Sequence, residues 1–294
     1  EKIWNKMYEF AYYHGRAAAV IHAMSGIDNA IWDIMGKAVG KPVHKLLGGS
    51  YQKEIPAYIS ILMPSTPDEV KKLVDYHMKE NYLGIKFGWG DLGQSFENDV
   101  KLVKAAREAL GPDKKLMIDI AMAWTDYKIA LKNCKAFEEF DVFWVEEPFR
   151  VERSKDFAKL RNAVNTNITA GEELFHFDEF KKYIDEGCVD ILQPDISRCG
   201  GLTVARKIRD YAYNAGIPIV PHNFKSGLLL SATMQFIATL PNALFLEYCG
   251  QETVLSRNLI TEPITVHNGM VTIPDAPGMG VELDWDTLNK YRVK

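Results

Sequence analysis

KLMID (115–119), FWVEE (143–147) and NITAGE (167–172) are three short apolar runs, and each reaches an acid at its end. The acids Asp119, Glu146 and Glu172 stand 27 and 26 residues apart, close to the length of one strand-plus-helix unit. A polar, helix-like stretch follows each of them. Parallel strands joined by helices end at the same edge of their sheet, so the three carboxylates are expected on one rim. Three oxygen ligands on neighbouring strand ends suit a hard divalent cation. Mg2+ is favoured over zinc, which prefers nitrogen and sulfur.

The same texture extends in both directions. AYISIL (57–62), GIKF (84–87), DILQP (190–194), IPIVPH (217–222) and LFLEY (244–248) are further candidate strands. Amphipathic helix patterns such as PDEVKKLVDYHMKE (67–80) and ENDVKLVKAAREAL (97–110) lie between strands. Eight short strands separated by single helices predict a parallel sheet, and within this length a closed (β/α) barrel of the TIM type. An open doubly wound sheet is the alternative, though it usually has fewer strands.

Upstream of residue 56 the pattern is helical, with Ala17, Ala18, Ile21, Met24, Ile27, Ile31 and Ile34 at helical spacing. Downstream of residue 250 it breaks into short strand signals, ITVHNGMVTIP (264–274), and Pro- and Gly-containing turns. The expected division is 1–55 as a helical unit, 56–250 as the barrel and 251–294 as a tail returning to the helices. Residue 1 is Glu, not Met, and lies close to a helical pattern, so an upstream segment is expected.

Bulk properties exclude several classes. A net charge of -4 over 294 residues leaves no electrostatic footprint for nucleic acid or an anionic membrane surface. No apolar run approaches the roughly 20 residues that span a bilayer. Cys134, Cys188, Cys199 and Cys249 have no CxxC spacing, and read as buried, reduced thiols of a cytoplasmic protein. A homo-oligomer is expected.

In a barrel the active site lies at the C-terminal strand ends. The polar residues that close the runs are Lys86, Asp119, Glu146, Glu172, Asp195, His222 and Glu247. Any one acid here would serve equally to cap the next helix. Seven in succession at the same strand position point to a site. His222 suits proton transfer near neutral pH, although alone it reads as well as a core histidine. Asp195 closes the preceding strand and could fix its tautomer. His14, His22, His44 and His77 sit in helical patterns and read as structural or exposed. His176 reaches either the site rim or the surface, and Trp89 and Trp124 either the pocket or the core.

The segments MIDIAMAW (117–124), WVEEP (144–148), TAGEELF (169–175), ILQPDISRCGG (191–201), VPHNF (220–224) and LFLEYCG (244–250) together resemble the enolase superfamily, and within it the mandelate racemase subgroup. SGIDNAIWDIMGKAVGKPVHKLLGG (25–49) is similar to the helices of that family's capping domain. The resemblance implies a modified (β/α) barrel with one irregular strand. It also implies an α+β cap built from both chain ends, part of it upstream of residue 1. It places Mg2+ on Asp119, Glu146 and Glu172. It makes His222–Asp195 a general-base dyad and gives Glu247 a hydrogen bond to the substrate carboxylate. The implied chemistry is Mg2+-dependent removal of the α-proton of a small carboxylate substrate through an enediolate, ending in racemisation or dehydration.

Two departures from the family pattern matter. The second strand often ends in Lys-x-Lys, with a second base at the last position, and here it reads Lys86-Phe87-Gly88. Losing that base favours a one-base dehydration of an acid sugar over a racemase or epimerase. Lys86 is then either electrostatic and substrate-binding or simply paired with the metal carboxylates. Asp-x-Asn after the first ligand is replaced by Asp119-Ile120-Ala121, which leaves the Asp119 assignment standing. Gly88-Trp89-Gly90-Asp91-Leu92-Gly93 is a literal GxGxxG and makes an NAD-dependent oxidoreductase a formal rival. Its place after a second strand and the bulk of Trp89 count against that reading. A non-catalytic binding protein on the same fold is the third possibility.

Overall fold

Apolar runs bounded by caps and turns become the elements of a curled, mostly parallel sheet wrapped in helices. The computed structural model describes residues 1–293. Three helices open the chain: α1 (Lys2–Ala11), α2 (Ala19–Ala38) and α3 (Val43–Leu46). The alternation then runs β1 (Glu54–Leu62), α4 (Pro67–His77), β2 (Gly84–Gly88), α5 (Phe96–Leu110), β3 (Lys115–Asp119), α6 (Tyr127–Glu138) and β4 (Val142–Glu146). It continues with α7 (Ser154–Arg161), β5 (Asn167–Ala170), α8 (His176–Asp185), β6 (Ile191–Leu192), α9 (Gly201–Asn214), α10 (Gly227–Ile237) and β7 (Leu246–Cys249). The tail holds α11 (Val254–Arg257), β8 (Met270–Thr272) and α12 (Trp285–Tyr291).

Helix starts follow the local chemistry. Thr66 and Glu69 form a reciprocal capping box over Pro67 in the first turn of α4. Ser95 and Ser226 accept the N–H groups of Asn98 and Leu229 at the starts of α5 and α10.

Strands β1 to β6 are parallel neighbours in chain order, and β7 pairs back onto β1. Residues 217–222, expected as a regular strand, make only the bridge Ile219–Leu192. Pro218 and Pro221 have no N–H to give a ladder, which explains the shortfall. On the far side the ring is fastened by Asn223. Its backbone N–H donates to Glu247 Oε2 at 2.6 Å and its Nδ2 to the Glu247 carbonyl at 3.1 Å. This segment closes the barrel as an irregular strand.

The barrel interior is filled by Tyr58, Met117, Trp144, Ile191, Val220 and Phe245. A second, larger core lies between the sheet and the helices. All four cysteines are free and buried.

Helix α2 grips the barrel at the start of α9. Ser25, Asp28 and Asn29 lie on one face of α2 at i, i+3 and i+4. Their side chains accept the N–H groups of Gly200 at 2.9 Å, Thr203 at 2.8 Å and Leu202 at 3.1 Å. Side chains of α2 thus supply the acceptors that the start of α9 leaves open. The tail returns as well. β8 runs antiparallel to the start of β1, after a turn at Asn268-Gly269 with φ of 50° and 74°. Val43 N–H donates to the Gly278 carbonyl at 2.9 Å, and Met279 N–H to Asp33 Oδ1 at 2.7 Å. Among the described residues no helix is long and apolar enough to cross a membrane.

Candidate active site

Successive inward positions on a strand are two residues apart. Two residues on from the interior layer Tyr58, Met117, Trp144, Ile191, Val220 and Phe245 stand Ser60, Asp119, Glu146, Gln193, His222 and Glu247. The barrel therefore has an apolar plug and, one pleat above it, a polar rim. Lys86 joins the rim from β2, and Glu172 from the turn just after β5. A cavity of about 240 Å³ opens over this rim, with Lys86, Asp119, Glu172, Arg198, His222 and Glu247 among its walls.

Asp119, Glu146 and Glu172 are all buried and can present oxygens within 4.8 Å of one another. Burial first, then the charge of Glu146, pushes the Asp119 carboxyl well above its ordinary range. Burial also raises Glu146. Burial works the same way on Glu172, but His222, Lys86 and Arg198 outweigh it and hold that carboxyl down at about 2. Three buried carboxylates this close repel one another, and an oxygen-only donor set with surplus negative charge is what a hard divalent cation relieves. The residues present fit such an ion.

Each of these three carboxylates is oriented by neighbours. Glu146 Oε1 accepts from Lys86 Nζ at 2.6 Å. Its Oε2 accepts from Trp144 Nε1 at 3.1 Å and Gln193 Nε2 at 3.0 Å. Asp119 Oδ1 accepts the Ala121 N–H at 2.8 Å. Arg198 Nη1 donates to Glu172 Oε1 at 3.2 Å and Glu173 Oε1 at 2.7 Å. Lys86 also lies 2.7 Å from Glu247 Oε1. Its ammonium is thus clamped between two carboxylates, and although burial lowers its basicity, Glu146 and Glu247 raise it well above the ordinary value. A lysine held this way is a fixed charge, not a free base.

His222 Nδ1 stands 2.9 Å from Asp195 Oδ2, and its Nε2 stands 3.0 Å from Glu172 Oε2. Asp195 is fixed in turn, because its Oδ1 accepts from Ser197 N–H at 2.7 Å and Ser197 Oγ at 2.6 Å. Lys225 Nζ lies 3.2 Å from the same Oδ2. Burial would raise Asp195, but His222, Lys225 and Ser197 hold it below the usual carboxylate range.

The predicted rim residues meet at one place. Of the other sequence candidates, His176 and Trp124 do not join them. His176 packs on Tyr8 and Trp4, with ring centroids 4.8 and 5.4 Å away. Trp124 is buried in the core, while Trp89 lines the cavity. Arg198, Gln193, Trp144 and Lys225 were not singled out from sequence. Arg198 lies inside ILQPDISRCGG, three residues past Asp195, and a guanidinium in so buried a stretch was the signal for it.

Comparison with known proteins agrees with this geometry. Residues 68–287 match the family described as enolase C-terminal domain-like. Residues 1–48 match the mandelate racemase/muconate lactonizing enzyme N-terminal domain. The chain is 32% identical over 297 residues to the arabinonate dehydratase of Saccharolobus solfataricus, covering 100% of this chain and 78% of that one. It is 32% identical over 302 residues to the D-galactarolactone cycloisomerase of Agrobacterium fabrum, covering 100% and 80%. The crystal structure of a mandelate racemase/muconate lactonizing protein from Paracoccus denitrificans complexed with magnesium superposes with a TM-score of 0.92 at 27% identity, covering 98% of this chain and 79% of that one. The chain belongs to the enolase superfamily, in its mandelate racemase/muconate lactonizing enzyme group. It is thereby one of a family of enzymes, and further curated relatives are named as rhamnonate, xylonate and gluconate/galactonate dehydratases.

Proposed function

We propose that this protein is a Mg2+-dependent hydro-lyase that converts an acid sugar to a 2-keto-3-deoxy acid. The observation that carries the reading is the asymmetry of the rim. Among the described rim residues His222, oriented by Asp195 and made more basic against burial by Glu172 and Glu247, is the imidazole suited to proton transfer, and Gly88 stands where a second base would have to start.

Asp119, Glu146 and Glu172 would hold Mg2+, whose charge favours the ionised enediolate over the neutral acid. Lys86 Nζ donates to Glu146 Oε1 at 2.6 Å and is ion-paired with Glu247 Oε1 at 2.7 Å. A remaining N–H would donate to the substrate carboxylate, with Glu247 holding the ammonium in place. His222 takes the α-proton and becomes imidazolium, stabilised by Asp195. The electron pair left on the α-carbon forms the enediolate. Its collapse forms the Cα–Cβ double bond and breaks the bond to the β-hydroxyl. The imidazolium returns its proton to that hydroxyl, and water leaves. The enol so formed tautomerises to the 2-keto acid.

A racemase or epimerase delivers the proton to the opposite face and needs a second base there, which Gly88 cannot be. A cycloisomerase, the activity named for one relative, can work with a single base and is the second reading. The test is a screen of acid sugars and their lactones with Mg2+, detecting 2-keto products and, separately, deuterium uptake at the α-carbon from heavy water. A 2-keto-3-deoxy product supports the proposal. Deuterium uptake with no loss of water would replace it with an epimerase.

A further inference from the structure

The glycine-rich run after β2 is the one sequence motif that the proton-transfer apparatus leaves unused. Its geometry is that of a clamp. Met63 N–H donates to the Gly88 carbonyl at 2.7 Å, and Trp89 N–H donates to the Asp119 carbonyl at 3.3 Å. The run is thereby pinned to the ends of β1 and β3. Gly90 has φ of 60°, and a Cβ there would lie 2.2 Å from the Met63 carbonyl oxygen. Gly93 has φ of 79°, and a Cβ there would lie 2.5 Å from the Ala123 Cβ. Its N–H is held by Asp99 Oδ1 at 3.0 Å, and Leu92 is buried. The glycines therefore let the run press against two neighbouring strand ends, a packing task in place of a phosphate-binding one.

What the clamp presents is Trp89. Its φ is 59°, a left-handed conformation that is costly for a bulky side chain. Its side chain is 52% exposed although the core is close by. It lines the same cavity as His222, Lys86 and Asp119. Around the barrel β2 lies three strand positions from the 217–222 segment that carries His222, counting through β1 and β7, so the two side chains face the cavity from well-separated sides. A strained, wet indole held rigidly at the mouth of a charged cavity is explained by a ligand that covers it.

We infer that Trp89 is the platform on which the carbon chain of the substrate lies, its indole taking the C–H face of an acid sugar while the hydroxyls point away. The polar rim binds the carboxylate end, and Trp89 sets which chain lengths and configurations lie flat behind it. The inference rests on the acid-sugar reading above and adds a specificity-determining residue to it.

The experiment uses the Mg2+-loaded protein in a His222→Asn background, which halts turnover. Binding of D-arabinonate, D-xylonate, D-gluconate and D-galactonate is measured by titration calorimetry with Trp89 intact, as Trp89→Ala and as Trp89→Phe. The Ala variant is expected to weaken binding of the preferred acid about tenfold, and Phe to stay within about threefold. Unfolding temperatures of the three should agree, since the side chain is half exposed. Quenching of indole fluorescence on binding should shrink in the Phe variant. Equal affinities in the Ala variant, with aldonate binding intact, would overturn the role of Trp89 alone. Failure of every aldonate to bind when Trp89 is intact would overturn the inference together with the substrate class.

Discussion

A Cβ built on Gly88 would stand 2.8 Å from the Oδ2 of Asp119. The space where a second lysine would begin is taken by a carboxylate of the acidic triad. Restoring the family's Lys-x-Lys here is therefore not a neutral change. Gly88→Lys has to displace Asp119, and is expected to lower Mg2+ affinity by at least about tenfold, the scale seen when the supports of a metal ligand are disturbed. It should not confer racemisation. Titration calorimetry with Mg2+ checks this, and undiminished affinity in the lysine variant would show that Asp119 moves aside freely.

The triad makes a second expectation with two signs. Burial and the charge of Glu146 oppose ionisation of Asp119, so without metal this carboxylate destabilises the fold. Asp119→Asn should stabilise the metal-free protein by on the order of 1–2 kcal/mol. The wild type should instead gain about 2.7 kcal/mol on adding Mg2+ at a hundred times its dissociation constant, and the variant far less. Urea unfolding with and without Mg2+ measures both. A metal-free Asn variant less stable than wild type would mean that Asp119 is relieved by some other cation.

His222 and Asp195 are separable by kinetics. His222→Asn removes the proton acceptor, and exchange of the α-proton should fall by about 10²–10⁴-fold. Asp195→Asn keeps the imidazole but alters its orienting partner, and should cost less while Mg2+ binding persists. Lys86→Met should raise KM for the carboxylate and also weaken Mg2+ binding, because Glu146 loses its 2.6 Å partner. Equal rates for His222→Asn and wild type on any substrate would end the one-base mechanism.

The rim was legible because the barrel repeats. Each strand that brings Met117, Trp144 or Phe245 into the interior brings Asp119, Glu146 or Glu247 to the rim two residues later, and that alternation is visible in the chain. The irregular segment 217–222 was harder, since its apolar residues read as a strand while its prolines remove the donors a strand needs. Arg198 and Lys225 were hidden for another reason. They reach Asp195 from turns, where no periodicity tells which way a side chain points. Trp144 and Gln193 look like core and loop until the second oxygen of Glu146 is asked for its partners.

Asp99 carries a pH dependence that is independent of the triad. Burial, opposed by the Gly93 N–H, lifts its carboxyl from an ordinary value of 3.8 to about 6. A carboxyl that holds its proton more tightly folded than unfolded stabilises the fold fully at pH below its unfolded value. That contribution is lost as pH rises through the folded one. The loss here should fall between about pH 4 and pH 6 and amount to on the order of 2 kcal/mol. Asp99→Asn keeps an acceptor for Gly93 without the buried charge. It should match wild type near pH 4 and exceed it at pH 8. Parallel urea titrations at those two pH values decide the matter, and a difference that does not grow with pH would refute it.

The grip of α2 on α9 gives the last expectation, and it links the helical unit to the chemistry. Asp28 is buried and accepts from Thr203 N at 2.8 Å and Thr203 Oγ1 at 2.7 Å. Asn29 Nδ2 donates to the Ile196 carbonyl at 3.1 Å, one residue past Asp195. Asp28→Ala leaves two donors without partners inside the protein, and should cost about 2–4 kcal/mol. Asp28→Asn keeps one good acceptor and should cost roughly half as much. If these contacts only hold the helices together, turnover by folded protein will be unchanged in both variants. If they also fix the 195–200 turn, kcat will fall in step with stability while Mg2+ affinity stays put, because Asp195 and not the triad has moved. Asn29→Ala isolates the second effect, since its bond runs to the turn that carries Asp195. A loss of kcat there, with little change in unfolding temperature, would place the helical unit in the positioning of the dyad.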